Sequence, residues 1–316
     1  MRPAPLLLLV CGLLPAAWAA NDYRLEAQPL AEGVYAFIGR TEEFSRDNGG
    51  NIVNTGFIVG SDGVIVIDTG PSRQYGEQQR AAIARATPLP VRQVYLTHAH
   101  PDHFLGNQAY GTGLVAALPA TTAAIESSGE ALSANLYRLI GGWMIGTEVV
   151  VPQGTARDGP VTIAGRKLRL IGMAGHTDSD LMIYDEFTKT LFAGDLVFYQ
   201  RAPTTPNANI GRWLAALDAI DQLDITTVVP GHGPVIRGRS GIEQTRVYLQ
   251  WLSATLHGAA DRGLDMVEVM ALPIPERFRT LGAVKTEYTR SVVHLYPKFE
   301  LEALPRAQRP PAQAGP

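Results

Sequence analysis

Seven side chains able to hold a metal ion or move a proton sit where apolar runs of this chain end. The densest group is Thr97-His98-Ala99-His100-Pro101-Asp102-His103, directly after the apolar segment Val91 to Leu96. His98 and His100 are two residues apart, so in extended chain both imidazoles project to one side. Two neutral imidazoles converging in this way suit a zinc ion, with nitrogen at about 2.0–2.1 Å. Asp102 and His103 follow where the chain turns and can aim at a neighbouring position. Three further residues have comparable settings: His176 in Gly175-His176-Thr177, Asp195 in Gly194-Asp195-Leu196, and His232 in Pro230-Gly231-His232-Gly233. The flanking glycines permit sharp turns and leave room for backbone beside an ion. Of seven histidines, five fall in these motifs. Histidines kept for packing would be scattered.

The elements that must carry these residues alternate between strand and helix. Strands are expected at 33–38, 51–59, 64–67 and 91–96, with Gly60-Ser61-Asp62-Gly63 as a turn whose Asp-Gly suits positive φ. A helix is expected from Ser72 to about Ala86, stopped by Pro88 and Pro90. A second should run from Ala120 to Ile140, ended by Gly141-Gly142. Strands resume at 161–163, 168–171, 181–184 and 190–192, then a helix at 210–223 and a last strand at 227–229. From Gly241 the text is mainly helical, up to a Pro-rich tail at 305–316 whose composition predicts disorder. Two batches of strands, each ending in histidine-bearing loops, suit two sheets packed face to face with helices outside.

His-x-His-x-Asp-His, the later Gly-His-Thr, Gly-Asp and Pro-Gly-His-Gly segments, and the early Ile67-Asp68-Thr69-Gly70 together resemble the metallo-β-lactamase superfamily, over about Val34 to Val235. The resemblance implies an α/β fold of the αββα sandwich type over residues 20–240, with a helical extension at 241–304 packed on it. It implies that His98, His100 and His176 hold one metal ion and that Asp102, His103 and His232 hold a second, with Asp195 between them. Asp68 matches a family carboxylate that hydrogen-bonds a ligand imidazole and fixes its tautomer; a turn-stabilising Asp before Thr69-Gly70 is the plainer reading. Two Zn²⁺ ions are expected, with iron or manganese as alternatives for an oxygen-bearing set without cysteine. Such a pair lowers the pKa of a bridging water from ~15.7 toward ~7 and yields a hydroxide for hydrolysis. Asp102 and Asp68 are the candidate catalytic residues, Asp102 as a proton carrier beside the nucleophile.

Composition bounds the rest. With 46 % apolar and 18 % charged residues, the 316-residue chain has an ordinary globular balance. Its net charge of −3 and lack of any basic run offer little to nucleic acid. Arg2, the apolar run Leu6 to Leu14 and Ala17-Trp18-Ala19 read as a signal peptide over residues 1–19, cut near Ala19. That run is shorter than the ~20 residues a spanning helix needs. Cleavage would place the protein in the periplasm or outside the cell and remove the single cysteine, Cys11.

Several residues keep two readings: His257 and His294 as site residues or ordinary helix histidines, Trp143 and Met144 as a pocket lip or core, and Asn48-Gly49-Gly50-Asn51 as a site loop or a connection. Asp47 to Ile52 and the Val293-His294-Leu295-Tyr296 ending also resemble the SoxH-like quinoprotein relay system zinc metallohydrolases, exported proteins associated with periplasmic quinoprotein oxidation. The expected function is hydrolysis of a small ester-, thioester- or lactam-like molecule. A β-lactamase is the alternative within the superfamily, ahead of a glyoxalase-type thioesterase, which lacks a Lys/Arg cluster here. A di-iron redox or metal-carrier protein is the alternative of another class.

Overall fold

Strand pairing divides the chain into two halves of similar plan. The computed structural model describes residues 21–304; the expected signal peptide and Pro-rich tail lie outside the described residues. In the first half, β1 (Gln28–Ala31), β2 (Val34–Phe37), β3 (Thr55–Val59) and β4 (Val64–Ile67) form an antiparallel meander. Helix α1 (Arg73–Ala86) then crosses over, and β5 (Val91–Tyr95), β6 (Val115–Ala117) and β7 (Gly154–Thr155) add in parallel. The second half repeats the scheme. β8 (Gly159–Ile163), β9 (Arg166–Met173), β10 (Asp180–Asp185) and β11 (Thr190–Phe198) are antiparallel, α4 (Ile210–Asp221) crosses over, and β12 (Thr227–His232) adds in parallel, edged by β13 (Ile236–Arg237).

The two sheets face each other through a core that includes Ile58, Ile65, Ile67 and Tyr95 from the first and Leu170, Ile183, Phe192 and Val229 from the second. Burying each such side chain contributes roughly 1.5–3 kcal/mol before the entropy of ordering it is subtracted. Outside the first sheet, Val64, Val66 and Val94 pack on Tyr75 and Ile83 of α1 and on Ile125 and Leu136 of α3 (Pro119–Ile140). Outside the second, Leu191 and Val228 pack on Trp213 of α4 and on α5 (Ser240–Asp261) and α7 (Val284–Ala303). The short helices α2 (Pro101–Phe104) and α6 (Met266–Met270) complete the αββα sandwich with its C-terminal helices. Among the described residues no helix is long and apolar enough to cross a membrane.

Local signals place the helix ends. Ser72 caps α1 by accepting from the Tyr75 N–H at 3.1 Å. Pro119 opens α3 at a position whose N–H has no helical partner, and Gly141 closes it at φ +62°.

Three local expectations need correction. The 51–59 strand begins only at Thr55, because Asn54 spends its side chain bridging the halves: its Nδ2 donates to Pro230 O and Gly233 O. The Gly60–Gly63 turn has no positive φ; Ser61 N–H donates to Ala164 O, and the facing Ala164-Gly165 pair takes the left-handed conformation instead. Strands 190–192 and 227–229 run on to Phe198 and His232, so Asp195 and His232 lie within strands and not after them. Irregular register between β11 and β12 past Phe192 supplies the local freedom that a regular ladder would deny Asp195.

Candidate metal centre

β5 delivers the first residues. Past Tyr95 the chain leaves the strand through His98, bends at Ala99 and passes His100 in extended conformation, then makes the single turn of α2, with Pro101 at its start and Asp102 and His103 buried within it. The β9–β10 connection supplies His176, β11 supplies Asp195 and the end of β12 supplies His232. All seven expected residues meet. The ligand atoms of His98, His100, His176 and Asp195 lie within 4.8 Å of one another, and so do those of Asp102, His103 and His232. Asp195 faces both groups: Oδ2 is 3.3 Å from His176 Nε2 and from His232 Nε2, while Oδ1 is 3.2 Å from His103 Nε2.

The bonds behind the rings fix which nitrogen faces inward. Thr97 Oγ1 donates to Asp68 Oδ2, so it accepts from His98 Nδ1 at 3.0 Å. His103 Nδ1 donates to Asp68 Oδ2 at 2.8 Å, and His232 Nδ1 donates to the Ile52 carbonyl at 2.7 Å. His100 is turned the other way, its Nε2 donating to Asn207 Oδ1 at 3.0 Å. The inward nitrogens of His98, His100 and His232 therefore carry lone pairs, while His176 Nδ1 has no partner behind its ring. Yet His100 Nδ1 lies 3.0 Å from His98 Nε2 and 2.9 Å from His176 Nε2. Nitrogens sharing one tetrahedral zinc at 2.0–2.1 Å stand roughly 3.3 Å apart. His103 Nε2 and Asp195 Oδ1 are buried and make no hydrogen bond. Converging lone pairs and bare buried polar atoms are costly unless a cation sits among them, so the donor set fits a pair of metal ions.

Electrostatics agree. Burial first, then the neighbouring imidazoles, hold the His98 and His176 pKa well below the usual imidazole value, and the aspartates only partly oppose this. His100 is also lowered, mainly by burial. Such rings stay neutral and keep their lone pairs. His103 differs: burial opposes its charge, but Asp68, Asp195 and Asp102 more than offset that and hold its pKa well above the usual value, so the position attracts a positive charge. Burial also opposes the charge of Asp195, yet His232, His103 and His176 outweigh it and keep the carboxylate ionised.

Glycines give the clearances. A Cβ on Gly231 would fall 1.9 Å from Asp195 Oδ1, and one on Gly175 would fall 2.6 Å from the Trp213 Cα. Asp68 is itself left-handed, at φ +56°, while accepting from Thr97 N–H, Thr97 Oγ1 and His103 Nδ1. A non-glycine residue held there carries strain that its three bonds offset. This makes Asp68 more than a turn former.

The residues with two readings separate. Met144 is buried in the core, and Trp143 packs on Tyr23 at 4.4 Å while donating to Arg46 O. His257 and His294 line a different cavity, of about 430 Å³, between α4, α5 and α7, and stand in neither ligand group. The 48–51 loop ties itself together through Asn48 and leads to Ile52, whose carbonyl orients His232. Sequence reasoning sets the 202–209 run beside the pocket without assigning Asn207 any chemistry, and it gives no role to Thr97 behind the ligands or to Phe198 and Trp213 against the His232 and His176 rings at 5.1 Å each. Thr97 adjoins the histidine motif and could have been found there. The other three carry no motif, because contact made through folding leaves no spacing to read.

A cavity of about 330 Å³ opens beside His100, walled by Ala99, Ala120, Ala124, Leu132 and Asn207. It is mostly apolar and adjoins the ligand groups, as a pocket for a small substrate should.

Comparison with known proteins gives a consistent picture. The family model of the metallo-beta-lactamase superfamily matches residues 48–232. A linear primary-alkylsulfatase from Pseudomonas sp. is 22 % identical over 67 % of this chain and 48 % of its own length, so the chain spans about half of that relative. An acyl-coenzyme A thioesterase from Gallus gallus is 27 % identical over 65 % of this chain and 79 % of its own. Among solved structures, a metallo-beta-lactamase from Pontibacter korlensis has a TM-score of 0.59 at 23 % identity, covering 72 % of this chain and 99 % of that one. One from Hirschia baltica has a TM-score of 0.55 at 21 % identity, covering 71 % and 97 %. At these identities the structural likeness speaks to the fold alone.

Proposed function

Because the chain belongs to the metallo-beta-lactamase superfamily, we propose that it is a metal-dependent hydrolase of small ester-, thioester- or lactam-like substrates. In this reading His98, His100 and His176 hold one divalent cation, Asp102, His103 and His232 hold a second, and Asp195 touches both; zinc suits this nitrogen-rich set. The observation that carries it is the convergence around Asp195 of the tautomer-fixed lone pairs of His98, His100 and His232 with the His103 and His176 rings. When bound, the cations supply an acidified water and an electrophile for the substrate's oxygen.

The chain's own residues do the rest. Asp68 holds His103 in its Nδ1–H form through a 2.8 Å bond and so keeps Nε2 free for a ligand role. Asp102 Oδ2, 3.4 Å from His232 Nε2, has a second carboxylate oxygen with which to take and return a proton. Ala120, Ala124 and Leu132 receive the apolar part of the substrate and exclude water from it. We also propose that the enzyme is exported after cleavage near Ala19, which N-terminal sequencing of the mature protein checks.

The test is metal analysis of the purified protein, with assays on neutral acyl esters, thioesters, lactams and sulfate esters. The expected result is two equivalents of divalent metal, with hydrolysis lost on chelation and regained with zinc. A protein without bound metal, or hydrolysis indifferent to chelation, overturns the reading. Visible absorption bands from bound iron would favour redox chemistry, and turnover confined to lactams would make it a β-lactamase.

A further inference from the structure

The five clustered imidazoles are not held alike. His98, His103 and His232 each donate Nδ1–H to a buried acceptor on a strand or beside one: Thr97 Oγ1, Asp68 Oδ2 and Ile52 O. His100 alone presents Nδ1 inward, and its outward Nε2 reaches a loop distant in sequence at Asn207 Oδ1, 3.0 Å away, Asn207 being the exposed residue of that otherwise buried or half-buried loop. Histidine exists as two neutral tautomers, and only the Nε2–H form leaves Nδ1 free to bind an ion. Something must therefore select that form. An amide oxygen aimed at Nε2 does so, because it accepts a hydrogen bond and cannot donate one.

The loop is well placed to hold that oxygen still. On one side Thr205 Oγ1 hydrogen-bonds Ser291 Oγ of α7 at 2.7 Å, in a buried contact, and Thr204 Oγ1 donates to Glu287 of the same helix at 2.8 Å. On the other, Asn209 N–H donates to Gly175 O, next to His176. Within the loop, Ala208 N–H closes a turn onto Thr205 O at 2.9 Å. Asn207 is thus the crest of a strap pinned between the C-terminal helix and the His176 connection. Its side chain also walls the 330 Å³ cavity beside His100.

We propose that Asn207 is a positioning residue: its amide oxygen, held by the 203–209 strap and helix α7, locks His100 in the Nε2–H tautomer and thereby sets the affinity of the first cation position. This rests on the metal-binding reading above. It also assigns the C-terminal helices a part in building the centre, beyond covering the second sheet.

Three variants of the full chain test it: Asn207→Ala, Asn207→Asp and Thr205→Val. Zinc affinity is read by competition with a chromophoric chelator, and the His100 tautomer by ring ¹⁵N shifts in the metal-free protein. Loss of a group that orients a metal ligand typically weakens binding about 10- to 100-fold. Asn207→Ala is expected to weaken one of the two zinc-binding steps by that factor and leave the other unchanged. Its His100 shifts should move from the Nε2–H pattern to a mixture. Asn207→Asp keeps an acceptor and should restore both readouts, while Thr205→Val should give a smaller effect in the same step. Unchanged zinc affinity in Asn207→Ala overturns the proposal, as does an equal loss at both steps or failure of Asn207→Asp to rescue. If the parent chain binds no zinc, the hydrolase reading falls instead, and the ¹⁵N shifts of His100 still decide whether Asn207 selects its tautomer.

Discussion

Two buried clusters of charged and titratable groups, one around Asp195 of β11 and one around Glu287 of α7, settle their charges differently. Around Glu287 of α7, Oε1 accepts from Arg201 Nη2 at 3.0 Å, Thr204 Oγ1 at 2.8 Å and Arg290 Nη1 at 3.0 Å. Arg201 spends its remaining donors on Glu42 O, Ala202 O and Thr204. That knot pairs carboxylate with guanidinium, although Glu287 Oε2 itself makes no hydrogen bond, and it fastens the strap after β11 to the C-terminal helix. Around Asp195 the balance differs: imidazole nitrogens and carboxylate oxygens converge on one another, and His103 Nε2, His176 Nδ1 and Asp195 Oδ1 make no hydrogen bond. A buried cluster that supplies both signs of charge serves structure. One that supplies mainly lone pairs needs a cation from outside.

The largest expected effect lies in the knot. Glu287→Ala strands the buried Arg201 guanidinium, and losing one partner of such a pair costs about 3–5 kcal/mol. Urea denaturation should show that loss without zinc and a somewhat larger one with it, because the strap that holds Asn207 loses its Thr204 anchor. A loss that zinc abolishes would mean that the two clusters are one. Next comes the metal centre. Zinc at a hundredfold excess over its dissociation constant should stabilise the parent chain by about 2.7 kcal/mol per site, read as a rise in the denaturation midpoint. Gly231→Ala drives a methyl group into Asp195 and should remove most of that gain. A full zinc response in this variant would show that Asp195 has room to move.

Asp68→Ala should cost about 1–3 kcal/mol in the metal-free protein, because the Thr97 N–H and His103 Nδ1–H lose their buried acceptor. Zinc binding at the position that includes His103 should weaken more than binding at the other. The smallest effect is the pH dependence of the knot. Burial pushes the Glu287 carboxyl above its ordinary value of 4.5, and the two arginines only partly offset that. A raised folded-state value means that the stability from its protonated form is fully present below pH 4.5 and is lost as pH rises through the folded value. The stability of the parent relative to Glu287→Gln should therefore fall as pH rises from about 4.5. A rise instead would mean that the arginines outweigh burial.

The metal-centre cluster was legible in sequence and the knot was not. His98, His100, Asp102 and His103 share one short motif, and the glycines around His176, Asp195 and His232 mark close approaches that no larger side chain permits. Arg201 and Glu287 are 86 positions apart and sit in no pattern. The strands holding the ligands were readable from their apolar runs, but their ends were not. Whether β11 stops at Phe192 or continues to Phe198 depends on β12 lying beside it, and that partner is supplied by a different part of the chain.

By itself the sequence determined an order of strands and helices that suits two facing sheets with helices outside, and the identity of the seven side chains that converge, while the αββα assignment came from the motif resemblance. Both follow from short-range pattern: side-chain alternation fixes which face is buried, and residue type fixes which atoms can bind a cation. Only the tertiary structure decided which nitrogen of each histidine points inward, that Asn207 and α7 stand behind His100, and that His257 and His294 face another cavity. Those outcomes rest on hydrogen bonds between segments far apart along the chain. Such bonds depend on where the packed sheets and helices bring atoms together, and no local spacing encodes that.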